Sequence, residues 1–362
     1  MSKYKVVVYA ISKNEEKFVK RWVESMKEAD EIVVLDTGST DNTVKLLKEM
    51  NVKVKQKKID PWRFDTARNE ALKLVPNDTD ICVSTDLDEV FLKGWRDILE
   101  NSWKDDTTRA RYTYNWSLDE KNRPLVSFMY EKTHTLKGYR WVHPVHEVLE
   151  YNGKENFVTI PEMVLNHYPD KEKSRSNYLP LLELSVKEDP YDDRNMHYLG
   201  REYMYYKRWN ESIDTLIKHL KLETSTWKDE RSASMRFISR CYIALNRLDE
   251  ANMWLDKAIL EAPHLRDPLI EKAFLKYTEN DFAEVKKYVL EALKIPINEK
   301  TYINEVFTFN ETPYDLLSIA CYELKEYKES LDAINSALKI NPDDERLINN
   351  KKIIEKKVND ID

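Results

Sequence analysis

Through Thr85 the chain alternates short apolar runs with amphipathic segments, and this rhythm restricts its fold more than any other feature. Val6 to Ile11 is apolar and largely β-branched, the pattern of a strand buried on both faces. Asn14 to Lys27 follows with helical spacing, placing Phe18, Trp22, Val23 and Met26 on one side. Glu31 to Leu35, Val52 to Gln56 and Ile81 to Thr85 read as further strands. Between them, Thr40 to Met50, capped by Ser39-Thr40-Asp41-Asn42, and Thr66 to Val75 read as helices. Strand and helix in alternation imply a parallel sheet between helices. Ligands then bind beyond the carboxyl ends of the strands, here after Ile11, Leu35 and Thr85.

Residues 109–168 change character and are rich in Tyr, Trp, Val, Thr and His. Strand-like pieces such as Ala110 to Trp116 and Val158 to Leu165 suggest an antiparallel extension over the open side of the sheet. Past Pro169 the pattern is helical and weakly repetitive. Leu199-Gly200 and Tyr203 correspond to Ile238-Ser239 and Tyr242, and again to Leu317-Ser318 and Cys321. Ala258 then Pro263 matches Ala337 then Pro342, while a third unit near Leu269 to Pro296 fits with a one-residue offset and Asn298 to Thr312 is an insertion. Small residues at such spacing are those of stacked helical hairpins resembling tetratricopeptide repeats. Tyr203, Tyr205, Tyr206, Trp209 and Trp227 exceed what that packing needs, which suggests a binding face, and exposed terminal helices suggest a homodimer. The expected division is 1–170 and 171–362.

Composition narrows the function. Charged residues make up 34% of the chain and only five are glycine, consistent with a helix-rich soluble protein. A net charge of −7 argues against general nucleic-acid binding and against a broad basic membrane-docking surface. Cys82, Cys241 and Cys321 are sparse and lack CxxC spacing, as expected of reduced thiols in the cytoplasm. No signal peptide or membrane span is expected, since the N-terminal apolar run falls far short of the ~20 residues a span needs.

Asp86-Leu87-Asp88 is the strongest chemical signal. Two carboxylates at i and i+2 after a buried strand project to one side and can hold a hard divalent ion. Asp78-Thr79-Asp80 lies in a turn and Asp360-Ile361-Asp362 in a terminal tail, so neither shares that context. Asp36-Thr37-Gly38-Ser39-Thr40-Asp41-Asn42 closes another strand with a glycine turn, where a carboxylate can accept hydrogen bonds from a base or ribose.

Four segments in order now carry a resemblance: Tyr9 to Glu16, Val33 to Thr43, Phe64 to Leu72, and Asp86-Leu87-Asp88-Glu89. Together they resemble the start of family 2 glycosyltransferases. With helical repeats behind, the chain is similar to the bacterial branch fused to tetratricopeptide-like regions, which includes transferases that glycosylate bacteriocin peptides on cysteine or serine. The resemblance implies a GT-A type α/β domain followed by an all-α repeat domain. It also implies that Ala10 and Asp36 hold the nucleobase with Glu15 on the same wall. Arg68 would face the diphosphate or sugar, Asp86 the ribose or sugar, and Asp88 the metal, Mg²⁺ or Mn²⁺. The donor would be a UDP-sugar of the UDP-glucose or UDP-N-acetylglucosamine class.

An inverting transfer also needs a base at the acceptor. The family's usual acidic motif has no clean copy here, and Trp141-Val142-His143-Pro144-Val145-His146-Glu147 stands in its place. Glu147 is the expected base, with His146 and Asp119 as alternatives and Glu89 on the donor side. His167, at a strand end, is expected to complete the metal shell. The acceptor stays open between a peptide or protein side chain and a glycan such as lipopolysaccharide core. A repeat scaffold with an inactive transferase-like domain is the rival outside enzymology, and the intact Arg68, Asp86 and Asp88 speak against it. A nucleotidyltransferase would show a glycine- and lysine-rich phosphate loop, and Tyr9 to Glu16 contains no glycine.

Overall fold

The computed structural model describes residues 3–170, 178–296, 301 and 303–360. Ile361 and Asp362 of the last Asp-x-Asp triplet, and residues 298–300 and 302 of the expected insertion, lie outside them. The chain forms two compact units, Met1–Ser185 and Val186–Asp362.

The first unit runs β1 (Val6–Ser12), α1 (Glu16–Met26), β2 (Glu31–Asp36), α2 (Thr43–Glu49), β3 (Lys53–Gln56), α3 (Phe64–Leu72), β4 (Ile81–Ser84), β5 (Glu89–Phe91) and α4 (Trp95–Ser102). It continues with β6 (Arg109–Leu118), β7 (Pro124–Thr135), β8 (Tyr139–Val142), β9 (Val148–Tyr151) and β10 (Phe157–His167). The next helix, α5 (Tyr178–Glu188), carries the division between units, later than residue 170. Its first residue belongs with the first unit, because the Tyr178 ring packs against Phe64 and His146.

An eight-stranded sheet has the order β3-β2-β1-β4-β7-β6-β10-β5. β3, β2, β1 and β4 are parallel, as the alternation requires. Period-two alternation along β1 assigns its two faces. Val6, Val8 and Ala10 meet Trp22, Met26 and Leu47, while Val7 and Tyr9 meet Ala67, Ala71 and Trp141 of the opposite layer.

Two expectations change here. The later strands do not form a cover over the sheet. β7 adds to β4 antiparallel and β6 to β7, whereas β10 pairs with β6 in parallel. Only the ribbon β8–β9 lies over a face, burying Tyr139, Trp141 and Leu149 against α3. The second helix begins at Thr43, not Thr40, because the residues before it tie two loops together. The Asp41 carboxylate accepts the Thr43 and Glu16 N–H groups, and Asn14 Oδ1 accepts the Thr40 N–H at 2.7 Å.

The second unit is all helix: α6 (Asp193–Tyr205), α7 (Trp209–Lys221), α8 (Lys228–Ala244), α9 (Leu248–Glu261), α10 (Asp267–Thr278), α11 (Phe282–Lys294), α12 (Thr312–Glu323), α13 (Tyr327–Ile340) and α14 (Glu345–Asn359). The first eight form four hairpins in register. Each turns through a left-handed residue: Lys207, Asn246, Asn280 and Lys325. Buried pairs lock each hairpin at Gly200/Ser212, Ser239/Ala251, Ala273/Val285 and Ser318/Ser330. In three of them a serine hydroxyl crosses to the backbone carbonyl of the paired residue. The third hairpin keeps this register, so its one-residue offset is confined to the closing Pro296. Tyr205, Tyr206 and Trp227 are exposed, while Tyr203 and Trp209 are half-buried. Among the described residues no helix is long and apolar enough to cross a membrane.

Candidate functional site

The ends of β1, β2 and β4 lie side by side because their register aligns Ser12 with Asp36 and Tyr9 with Ser84. Asp36 is fully buried at the end of β2. Its carboxylate accepts Ser12 Oγ at 3.0 Å, and the N–H groups of Gly38 and Ser39 at 3.2 and 3.0 Å. Gly38 has φ +117°, a conformation that side chains rarely adopt, so the turn that brings these N–H groups back requires glycine. Glu15 lies buried nearby, its N–H on Thr43 Oγ1 at 2.7 Å. Ala10 sits two residues before Ser12 on β1, its methyl in the core beneath α1.

Beyond β4 the chain turns, and Asp86 and Asp88 part company. The i, i+2 argument assumed a strand through both residues, but β4 ends at Ser84. Asp86 therefore turns to cations. Arg68 Nη2 donates to both its oxygens at 2.8 and 3.0 Å, and Lys132 Nζ to Oδ2 at 3.2 Å. Arg68 also donates through Nε to Glu147 Oε1. It is thus clamped between two carboxylates with its side chain only 4% exposed, and its buried Nη1 finds no hydrogen-bond partner among the described residues.

Burial works against charge on Asp86, yet Arg68 and Lys132 overcome it and hold the carboxyl well below the usual carboxylate range. Burial likewise opposes charge on Arg68 and Lys132, but Asp86 with Glu147, and Asp86 with Glu89, raise both far above their ordinary values. Glu89 differs. Burial, with Asp86 and Asp88 close by, pushes it up despite Lys132. Its Oε1 accepts the Tyr114 hydroxyl at 2.9 Å, and its Oε2 accepts the Asp86 N–H at 2.8 Å.

A supporting frame fixes Arg68. The Asn69 side chain clamps Trp141 through both its backbone N–H and its carbonyl, at 2.9 and 2.8 Å. The guanidinium lies over the Trp141 ring, 5.0 Å from its centroid. Trp141 Nε1 donates to Tyr9 Oη at 2.9 Å, and that hydroxyl meets His134 Nε2 at 2.8 Å. Burial pushes His134 down to about 3, which keeps this network neutral.

Asp88 meets His167 instead. His167 Nδ1 lies 3.0 Å from the Trp116 carbonyl and must donate to it, which turns Nε2 toward Asp88 Oδ2 at 3.4 Å. Burial lowers and Asp88 raises the affinity of His167 for a proton, and the net shift is upward. An imidazole anchored to a carbonyl through one nitrogen, with its other nitrogen beside a carboxylate, is the arrangement metal ligands adopt. These two residues fit a divalent ion. Asp86, already bound by two cations, does not join them.

His146 has positive φ and rests against Tyr178, beside Glu147. Asp119 closes the β6–β7 turn, accepting the N–H groups of Lys121 and Arg123 at 2.8 Å, so it is spent on the hairpin. Sequence reasoning missed Lys132. Its signal was present, since Phe128, Tyr130 and Lys132 alternate along β7 and a lysine at an inward position needs an acidic partner. Asn69, Trp141 and Tyr114 were missed as well, because only the fold reveals their partners.

Comparison with known proteins identifies the family the first unit resembles. Residues 7–149 match the glycosyl transferase family 2 profile. Residues 314–360 match the Fis1 C-terminal tetratricopeptide repeat. The SPbeta prophage-derived glycosyltransferase SunS of Bacillus subtilis strain 168 is 27% identical over 282 residues, covering 72% of this chain and 63% of that protein. Glycosyltransferase SunS of Bacillus phage SPbeta gives the same figures. The match thus spans less than two thirds of the length of these relatives. Among solved structures, MamA superposes with TM-score 0.38 at 16% identity, covering 48% of this chain and 96% of its own. A thermophilic TPR protein of Thermus thermophilus gives TM-score 0.36 at 16% identity, over 49% of this chain and 89% of its own.

Proposed function

With residues 7–149 forming a family 2 glycosyltransferase domain, we propose that the chain is an inverting, metal-dependent transferase that moves a sugar from a UDP-sugar to a peptide or protein side chain. The observation that carries this reading is the buried Arg68, held between Asp86 and Glu147 with one N–H unsatisfied, beside the Asp88–His167 pair. Asp36 and Glu15, with the β1 backbone at Ala10 near the strand's end, would form the wall for uracil and ribose. Asp86 orients ribose or sugar hydroxyls, and the spare Arg68 N–H takes a diphosphate oxygen.

Asp88 and His167 would hold the ion, and the imidazole favours Mn²⁺ over Mg²⁺. When bound, the metal neutralises the charge that develops on the departing diphosphate. The acceptor nucleophile attacks the anomeric carbon as the bond from that carbon to the diphosphate oxygen breaks. Its proton passes to Glu147, whose carboxylate Arg68 holds in place, and UDP leaves. His146 is the alternative proton acceptor.

The peptide or protein acceptor rests on the sequence resemblance, and the repeats supply the surface that selects it. The buried cysteines Cys82, Cys241 and Cys321 form no disulfide and suit a reducing cytoplasm, where nucleotide sugars are made. Exposed Ile340 and Ile353 near the last helix support self-association into a homodimer, which light scattering checks. The experiment for the function is donor profiling against a panel of nucleotide sugars, with mass spectrometry of candidate peptide acceptors. The reading expects UDP release that depends on one UDP-sugar and on divalent metal. Failure of every UDP-sugar, with or without Mn²⁺, overturns it.

A further inference from the structure

One residue of α7 departs from the pattern of the other hairpins. Where α9, α11 and α13 place the buried Ala258, Ala292 and Ala337, α7 places His219, which is equally buried. Alanine at this position lets helices touch, whereas an imidazole needs polar partners in a packed interior. His219 has a dense set of them. Its Nδ1 lies 2.9 Å from Ser234 Oγ, and its Nε2 lies 3.0 Å from Ser225 Oγ and 3.4 Å from Glu230 Oε1. Asp193, at the start of α6, adds a second carboxylate, and one ligand atom each of Asp193, His219 and Glu230 fall within 4.8 Å of one another. Ser234 Oγ continues to Nδ1 of the fully buried His197 at 2.7 Å, and His197 Nε2 has no hydrogen-bond partner among the described residues.

We propose that this cluster is a divalent-metal site of the zinc class, with His219 Nε2, Glu230 and Asp193 as ligands, binding α6, α7 and α8 together. Three N/O ligands with a fourth position for water or the Ser225 hydroxyl form a recognised zinc set. Metal–ligand bonds of about 2.0–2.2 Å at tetrahedral angles separate ligand atoms by ~3.4 Å, the spacing His219 Nε2 and Glu230 Oε1 already have. Asp193 is only half-buried, which leaves a way in for the ion and a carboxylate able to close on it. The second shell is in place too. Ser234 Oγ can accept a hydrogen bond from His219 Nδ1–H, leaving Nε2 bare for metal, and donate its own O–H to His197 Nδ1. Acidic pairs at a shared site repel, and an ion at their centre removes that repulsion.

This site lies in the repeat unit, apart from Asp88 and His167, so the two are separable by mutation. The test uses the full chain carrying Asp88→Asn, stripped with chelator and titrated with zinc by calorimetry. Cobalt(II) absorption reports coordination, and Tm is recorded with and without zinc. Tight binding of one zinc, a tetrahedral cobalt spectrum and a raised Tm are expected. His219→Ala restores the residue of the other hairpins and should fold yet lose all three responses, as should Glu230→Gln. Ser234→Ala should weaken zinc by about 10–100-fold. Zinc binding unchanged in His219→Ala and Glu230→Gln, or no binding and no Tm response in the parent, overturns the proposal and leaves a buried His–Glu ion pair.

Discussion

The two units bury polar side chains for different ends. In the first unit, charges converge from α3, the turn after β4, strand β7 and the segment before β9, so that Arg68 meets a carboxylate 79 residues away. In the hairpins of the second, serine hydroxyls reach carbonyls 12 residues away and fasten one helix to the next. Buried charges cost desolvation that a neutral hairpin contact avoids. The second unit also buries charge, as where the enclosed Arg236 donates to Glu271 Oε1 at 2.6 Å between α8 and α10, but there the pair joins neighbouring hairpins, whereas in the first unit the charges converge just beyond a strand end.

The sharpest way to break this comparison is Arg68→Ala. It leaves the enclosed Glu147 without that cation and the half-buried Asp86 with Lys132 alone, and removing one partner of such hydrogen bonds costs about 1–3 kcal/mol. Urea denaturation should show the first unit's transition shifted while the repeat unit's stays in place, and turnover should vanish. A shift shared equally by both units would erase the distinction. Glu147→Gln keeps size and hydrogen bonding but removes the base, so kcat should fall by roughly 10²–10⁴ with donor affinity little changed. Collapse of donor binding instead would make Glu147 a binding residue and move the search to His146.

Gly200→Ala probes the other side of the contrast. A Cβ there would stand 2.5 Å from Leu216 Cγ, so overpacking should cost about 1–3 kcal/mol. Donor hydrolysis should stay unchanged in a rate assay below the new Tm. The smallest effect belongs to Glu70, next to the Arg68–Asn69 pair but on the surface. Hydrogen bonds from Lys57 and Lys73 lower its pKa to about 2. A depressed carboxyl stabilises the fold above its unfolded pKa of about 4.3, and that contribution disappears as pH falls through about 2. Glu70→Gln should therefore cost no more than about 1 kcal/mol at neutral pH, a difference that closes on acidification.

The same contrast explains what the sequence made legible. The parallel half-sheet was readable from Val6–Ile11 and its successors because buried strands are apolar on both faces. The hairpins were readable because their contacts are local and recur, as at Gly200, Ser239 and Ser318. Asp36, Asp88 and His167 stood out beside strand ends, and Arg68 through the resemblance carried by Phe64 to Leu72. Their pairing did not, because which carboxylates Arg68 takes depends on how the chain turns after β4 and on how the β8–β9 ribbon lies over the sheet. Lys132 carried a signal in its alternation with Phe128 and Tyr130, but its partner Asp86 did not show, and Asp86 and Asp88 diverge because β4 stops short of both. The late start of α2 was hidden as well, since Asp41 and Asn14 spend their capping groups across two loops.

Under the proposed function the first unit transfers sugar with a metal held by Asp88 and His167. Measuring UDP-sugar turnover against Mn²⁺ concentration, for the parent protein and Asp88→Asn, tests it most directly. Chelator should silence the parent, Mn²⁺ should restore it, and Asp88→Asn should stay inactive at every metal concentration with its circular dichroism unchanged. Full activity of the parent in excess chelator, or most of its activity in Asp88→Asn, would contradict it.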